Sequence, residues 1–471
     1  MRRRYPCLAW LFLFCCLSVT SAATAAGKPN IVYILADDLG FAELSCNGGE
    51  AYQTPHIDAL AQGGVRFTRF YTAALCGPSR ALILTGRYAF RTGATNQDAC
   101  ANLVRTGPKA EMMLPTMLKK AGYATAMIGK WGQLTASGTS AEWGFDYNLA
   151  FRGSGIYWNS NVVKGMTPDG SVRGNPDTYV LNGKTLQLGD KQYMPHLLHR
   201  HAVEFLEANQ QQPFFLYYSL SSVHGEILPT PESAPGKAGV KGEARAAELY
   251  RDNIVYMDKL IGQLLAELDR LKLRDNTLII FMGDNGTAKA QSDRATIGGK
   301  RLAGEKGSML EGGGLVPFIA QWRGVIPASK VNVNVADASD LWPTFADVAG
   351  VPIPADRVLD GKSLMPYFKG ETQPQRPWIF NQLGPNWYVR DAGWKLNQAG
   401  ELFDMKDAPF AEALVAADSK EPAAVAARTR LAAALAQLNP AGGILDKGDG
   451  SGRSANKEEK KKKKATKADG K

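Results

Sequence analysis

The sequence predicts an α/β fold: a large, mostly parallel mixed sheet sandwiched by helices, with a small C-terminal antiparallel sheet plus a helix. Three observations carry this. Short apolar, β-branched runs alternate with helical periodicities along most of the chain. Several of those runs end in polar residues, as expected where ligands gather at the carboxyl ends of parallel strands. After about Pro374 the texture changes to aromatic-rich segments and an Ala-rich helix.

The elements follow in order. Pro29–Ala36, "PNIVYILA", reads as a buried strand that ends in "DDLG". "HIDALAQGG" after Thr54-Pro55 is a helix closed by Gly63-Gly64, and "VRFTRFYT" reads as one strand. "PSRALILTG" has proline in its first turn and glycine past its end, the usual helix asymmetry. "LPTMLKKAG" is a helix, "YATAMIGKW" a strand, "MPHLLHRHAVEFLEANQ" a helix and "PFFLYYSLS" a buried strand. The long periodicity of "ELYRDNIVYMDKLIGQLLAELDRL" precedes the strand "TLIIFMGDNG", and "LVPFIAQW" with the helix "ASDLWPTFADVAG" completes the alternation.

With 471 residues, 45% of them apolar, the chain holds one large domain with an addition, or two or three domains. Residues 1–26 combine three arginines, a short apolar run and small residues, the pattern of a secretory signal peptide and too short for a stable membrane anchor. The main domain then covers 27–374, a C-terminal subdomain 375–445 and a basic tail 446–471. That tail lacks the apolar residues needed to order it by burial. The net charge of +10 is misleading, because the three leader arginines and the tail's excess of five leave a nearly neutral body. A nucleic-acid-binding body is not indicated.

Chemistry concentrates at strand ends. Asp37-Asp38 and Asp284-Asn285 offer three carboxylates and a carboxamide, a set suited to calcium or magnesium rather than zinc. Asn285-Gly286-Thr287 fits a glycosylation sequon, but an asparagine facing a cation in a cleft leaves no room for a glycan. In an oxidising compartment the mature chain keeps Cys46, Cys76 and Cys100, an odd count. If Cys76 is special, Cys46 and Cys100 remain as a candidate disulfide. Cys76 lies at a helix start, where the positive partial field favours developing negative charge, with Arg80 one turn on. A thiolate matches hard oxygen ligands poorly, so apolar filler, metal ligand and nucleophile all remain open for Cys76.

The chain resembles the type I, formylglycine-dependent sulfatases of the alkaline phosphatase superfamily. The signature is "CGPSRALILTGR", and "KPNIVYILADDLG", "TPHIDALAQGGVRFTRFY", "IGKW", "PFFLYYSLSSVHGE", "FMGDNG", "GEKGSMLEGGGLVPFIAQW", "GWKL" and "GELFDM" extend it through most of the chain. The resemblance implies an exported sulfuric ester hydrolase that needs calcium, with magnesium as the second choice, and a formylglycine-generating maturation enzyme as partner. Asp37, Asp38, Asp284 and Asn285 would be cation ligands, and Cys76, as formylglycine, both nucleophile and metal contact. Arg80 would hold the nucleophile's surroundings, while Lys130, His224 and Lys306 match sulfate-clamping positions, His224 serving also as proton donor to the leaving oxygen. The expected substrate is a sulfated carbohydrate or small molecule, bound by aromatic-rich loops such as "RGSGIYWNSN" and "LGPNWY".

One departure stands out. The family usually reads G-K-W-H, with the histidine bonded to the formylglycine hydroxyl, whereas this chain has "GKWGQL", with Gly132 at that position and Gln133 next. Glutamine cannot serve as a base near neutral pH. Two other readings therefore stand beside the sulfatase: a phosphate or phosphonate monoester hydrolase of the same superfamily, and a sulfated-glycan-binding protein that has lost turnover. His196 and His199 have a helical spacing compatible with a metal, but no third ligand is evident near them or His201. His56 reads as an ordinary residue near a helix start.

Overall fold

The computed structural model describes residues 27–104, 110–132, 139–151, 157–158, 179–189, 192–225, 227–234 and 242–446. The leader, Gln133 and the tail beyond Asp446 lie outside these residues.

The main sheet is built from β1 (Asn30–Ala36), β2 (Val65–Phe67), β4 (Ala124–Lys130), β5 (Tyr147–Phe151), β6 (Tyr179–Leu181), β7 (Lys184–Thr185), β8 (Phe214–Ser219), β9 (Thr277–Gly283), β10 (Phe318–Gln321) and β11 (Lys330–Asn332). The two-residue β3 (Phe70–Tyr71) stands apart from it. The spatial order is β11-β2-β10-β9-β1-β8-β4-β5-β6-β7. Its centre, β9-β1-β8-β4-β5, is parallel, while β10 and β6 run antiparallel to their neighbours. A parallel strand covered on both faces must be apolar on both, and β1 meets this condition. Ile31, Tyr33 and Leu35 enter the core on one face, and Val32, Ile34 and Ala36 the core on the other.

Helices cover both faces. In the long helix Gly242–Arg270, residues Leu249, Ile254, Met257, Ile261, Leu264 and Leu268 form one buried stripe. A second sheet follows the main body: β13 (Ile379–Leu383), β14 (Asn386–Arg390), β15 (Trp394–Asn397), β16 (Leu402–Asp404) and β17 (Ala413–Val415) form an antiparallel meander. The helix Pro422–Leu438 lays Ala424, Ala427, Leu431 and Ala434 on Val389, Leu396 and Leu402 of this sheet. Buried ion pairs tie the meander down. Arg390 bonds Glu311 and the Tyr71 hydroxyl, and Arg376 bonds Asp340 at 2.8 Å. The expected architecture is thus the observed one.

Two expectations fail. "VRFTRFYT" is not one strand. It breaks at Thr68-Arg69, and β3 leaves the main sheet to pair with β12 (Ala336–Asp337). Two backbone bonds hold the break, Thr68 N–H to Asn332 O at 2.9 Å and Ala336 N–H to Arg69 O at 3.0 Å. Nor do Cys46 and Cys100 pair: both are free thiols. Cys46 packs on one face of the main sheet and Cys100 in the core on the other, so the sheet itself separates them.

Candidate active site

Strand register brings the polar residues together. Ala36 lies beside Gly283, Leu35 beside Ser219, and Gly129 beside Ser219, so four parallel strands end at one level. The residues there are Asp37, Asp284, Lys130 and Ser219, all buried. Asp38 adopts a left-handed conformation, φ 58°, which aspartate tolerates better than most residues. The two successive carboxylates consequently serve different partners. Asp37 bonds Lys130 and lies 3.9 Å from Arg80. Asp38 meets Lys306 Nζ at 2.5 Å, His224 Nε2 at 3.6 Å and the Asn285 amide at 2.8 Å.

Cys76 opens the helix Cys76–Thr85, which is buried along its whole length. Proline in the first turn and Gly86 in the left-handed conformation at the end bound it. Arg80, one turn in, donates from Nε and Nη2 to Asp284 Oδ2 at 3.1 and 2.7 Å, and from Nη1 to Lys130 O and Ser219 Oγ. The thiol of Cys76 and carboxylate oxygens of Asp37 and Asp284 lie within 4.8 Å of one another, and so do ligand atoms of Asp37, Asp38 and His224. Lys306 arrives on a loop docked by Lys306 N–H to Thr287 O and Gly307 N–H to Ala74 O. All nine residues singled out from the sequence therefore converge.

The donor set of the cluster suits a cation. Three buried carboxylates face Arg80, Lys130 and Lys306, of which only Lys306 is partly exposed. Burial alone would depress the Lys130 ammonium, yet Asp37 holds it above its ordinary range, and Asp38 does the same for Lys306. Burial, then the neighbouring Asp37, pushes the Asp284 carboxyl up. Asp37 Oδ1 and Asn285 Oδ1 are buried and accept no hydrogen bond from protein. Orphaned buried oxygens are costly, and here they sit in an all-oxygen set where a hard divalent cation would satisfy them. The residues fit such an ion.

His224 Nδ1 lies 2.5 Å from Gly225 O, which assigns the proton to Nδ1 and leaves Nε2 toward Asp38. Sequence reasoning missed the groups that hold this arrangement. Tyr157 donates to the carbonyl of His224 at 3.0 Å, Ser219 receives Arg80, and Gln97 contacts Cys76. None has a motif, although tyrosine and serine beside a cleft are natural suspects.

The loops expected to bind substrate read differently. Of "RGSGIYWNSN" only Tyr157 and Trp158 are described, and they support the His224 segment, Trp158 through Pro229 O. "LGPNWY" is the β13–β14 turn, and its Tyr388 is buried beneath the meander against Tyr71. His196 bonds the Tyr256 hydroxyl and His201 that of Tyr147, so these histidines do not converge on a metal. Burial pushes His199 down to about 4. The backbone N–H of His56 donates to Asp258. Asn285 is fully buried, which excludes a glycan there in the folded chain.

A parallel sheet with such a site at its carboxyl edge, and a meander behind it, is the architecture of the alkaline phosphatase superfamily. Within it the chain belongs to the sulfatase family, whose family model, described as Sulfatase, matches residues 29–351, and it is an enzyme of the sulfatase class. It is 30% identical to arylsulfatase D of Homo sapiens, over 83% of this chain and 79% of that one. It is 32% identical to N-acetylgalactosamine-6-sulfatase of Mus musculus, over 77% and 70%. The solved structure of Ps i-CgsB in complex with k-i-k-neocarrahexaose matches with a TM-score of 0.71 at 28% identity, covering 87% of this chain and 92% of that one.

Proposed function

We propose that this sulfatase is exported behind residues 1–26, carries formylglycine at position 76, binds calcium, or magnesium in its place, and cleaves sulfate esters of carbohydrates. The observation that carries the reading is the convergence of Asp37, Asp284 and the Cys76 thiol within 4.8 Å, flanked by Lys130, Lys306 and His224. A maturation enzyme would have to act on Cys76. The carbohydrate reading draws on the relatives, one named for a sulfated aminosugar and one bound to a hexaose.

Asp37, Asp38, Asp284 and Asn285 would hold the cation, with the side chain at 76 beside it. When bound, the cation supplies fixed positive charge for a sulfate oxygen and for the nucleophile. The hydrate of a formylglycine supplies an attacking oxygen at position 76. The residues of the chain do the rest. Arg80 fixes Asp284 and the strand ends, so the cluster is preorganised rather than solvated. Lys130 and Lys306 place ammonium groups around the sulfate. His224, as imidazolium, donates from Nε2 to the bridging oxygen as the S–O bond breaks, and the alcohol leaves neutral.

The test is co-expression with a formylglycine-generating enzyme, mass spectrometry of the peptide carrying residue 76, and release of sulfate from an aryl sulfate and from sulfated oligosaccharides. The aldehyde and turnover are expected together, and Cys76→Ala should abolish turnover while leaving the fold intact. A fully converted protein inert toward all sulfate esters, or turning over aryl phosphonates faster, overturns the reading.

A further inference from the structure

Gln97 lies in the turn between the short helix Ala89–Thr92 and the helical turn Ala99–Asn102. Its Oε1 accepts from the backbone N–H of Gly77 at 3.1 Å, and its Nε2 sits 3.1 Å from Cys76 Sγ. The first contact fixes the second. An N–H donor can only face the carboxamide oxygen, so the NH2 group must point at the Cys76 side chain. The approach depends on Gly77, where a Cβ would stand 3.1 Å from Gln97 Oε1 and 3.0 Å from Cys100 Sγ.

The loop around Gln97 is built, not draped. Asn96 Oδ1 accepts from the N–H groups of Asp98 and Ala99, each at 2.9 Å. Thr95 donates from Oγ1 to Asp446 at 2.9 Å, and its carbonyl accepts from Gly384 N–H. The Asn96 amide also bonds Asp446. Gly132 brings no side chain of its own, and a Cβ there would press on Arg80 Cδ at 3.1 Å.

We infer that Gln97 is a positioning residue for the nucleophile, its carboxamide N–H restraining the rotation of the side-chain heteroatom at position 76. This rests on the sulfatase reading for its catalytic consequence, but not for the contact itself. A carboxamide neither takes nor gives a net proton near neutral pH. Its contribution is directional: one lone pair of the heteroatom is occupied, and the others are left toward Asp37 and Asp284.

Two measurements test it. In unconverted protein, the Raman S–H band assigned by difference against Cys76→Ala should shift in Gln97→Leu. In converted enzyme, with rates normalised to aldehyde content, Gln97→Leu should lower kcat on an aryl sulfate by roughly 10- to 100-fold while KM moves less than about threefold. Gln97→Glu should be as impaired at neutral pH but regain rate as pH falls, because a protonated carboxyl again offers a donor; Gln97→Leu should not. An unmoved Raman band, wild-type kcat in Gln97→Leu, or equal loss in both variants at every pH overturns the inference. A shifted band in a protein whose converted wild type hydrolyses no sulfate ester overturns the sulfatase reading and leaves the contact standing.

Discussion

Arg80 and Asp284 share two hydrogen bonds through a single carboxylate oxygen, at 3.1 and 2.7 Å, with both side chains out of contact with solvent. The guanidinium also donates to Lys130 O and Ser219 Oγ, which are themselves hydrogen-bonded to each other, so it joins three strand ends at once. Arg80→Ala should destabilise the fold by about 3–5 kcal/mol, because it leaves a buried carboxylate without its partner. Arg80→Lys should rescue little, as an ammonium cannot reproduce the fork. Thermal melts of both variants check this; a Tm within a degree or two of wild type would count against it.

Cation removal should act on stability as well as on rate. Asp37 Oδ1 and Asn285 Oδ1 are orphaned and burial pushes the Asp284 carboxyl up, so without a cation the cluster keeps unsatisfied buried oxygens. A chelator should lower the Tm, calcium should restore it by mass action, and Asp38→Asn should shrink the difference. Melts with graded calcium, paired with metal analysis of the active enzyme, decide the matter. Zinc at one equivalent without calcium or magnesium would contradict the all-oxygen reading.

Glu43 gives the stability a pH dependence away from the catalytic cluster. Burial pushes its carboxyl up to about 7, only partly opposed by the hydrogen bond from Thr287. With a raised folded value the sign is fixed. The stabilisation is complete below the unfolded value near 4.5 and is lost as pH rises through about 7. Glu43→Gln should therefore remove up to about 3 kcal/mol of pH-dependent penalty. Its Tm should exceed that of wild type at pH 8 and match it near pH 4.5. Equal Tm at both pH values would show that Glu43 is not held neutral.

Gly132 stands where the sequence resemblance leads us to expect a histidine, and the backbone there is left-handed, φ +73°. A side chain is strained in that conformation by about 1–2 kcal/mol, before its Cβ meets Arg80. Restoring the base is thus not a simple graft. Gly132→His should lower the Tm and leave the steady rate at or below wild type, and Gly132→Ala should show most of the same loss of stability. Pre-steady-state kinetics on an aryl sulfate check the rate, with a burst in wild type expected if regeneration of the nucleophile is slow.

The parts of the site legible in the sequence were those set by strand register. Once β1, β4, β8 and β9 are parallel and level, whatever follows each strand must meet at one edge, which is how Asp37, Lys130 and Asp284 could be grouped in advance. Helical spacing set Arg80 beside Cys76, while the roles expected of the two came from the family resemblance of "CGPSRALILTGR". Gln97, Ser219 and Tyr157 were not, because their partners are reached across loops that have no period and whose course only tertiary packing decides. The cysteine pairing failed for a similar reason: which face of a sheet a loop residue reaches is not written in a count of thiols. Tyr388 misled because the facing of a hairpin side chain depends on register, and here it points into the body.

The tie between Asp446 and the Thr95-Asn96 loop has a practical side for anyone producing the enzyme. Asp446 is fastened one position away from the glutamine that touches Cys76, so the chain at this point supports the loop beside the nucleophile. An expression boundary drawn ahead of Asp446 would unfasten the loop and mimic an active-site defect in a protein whose catalytic residues are all intact.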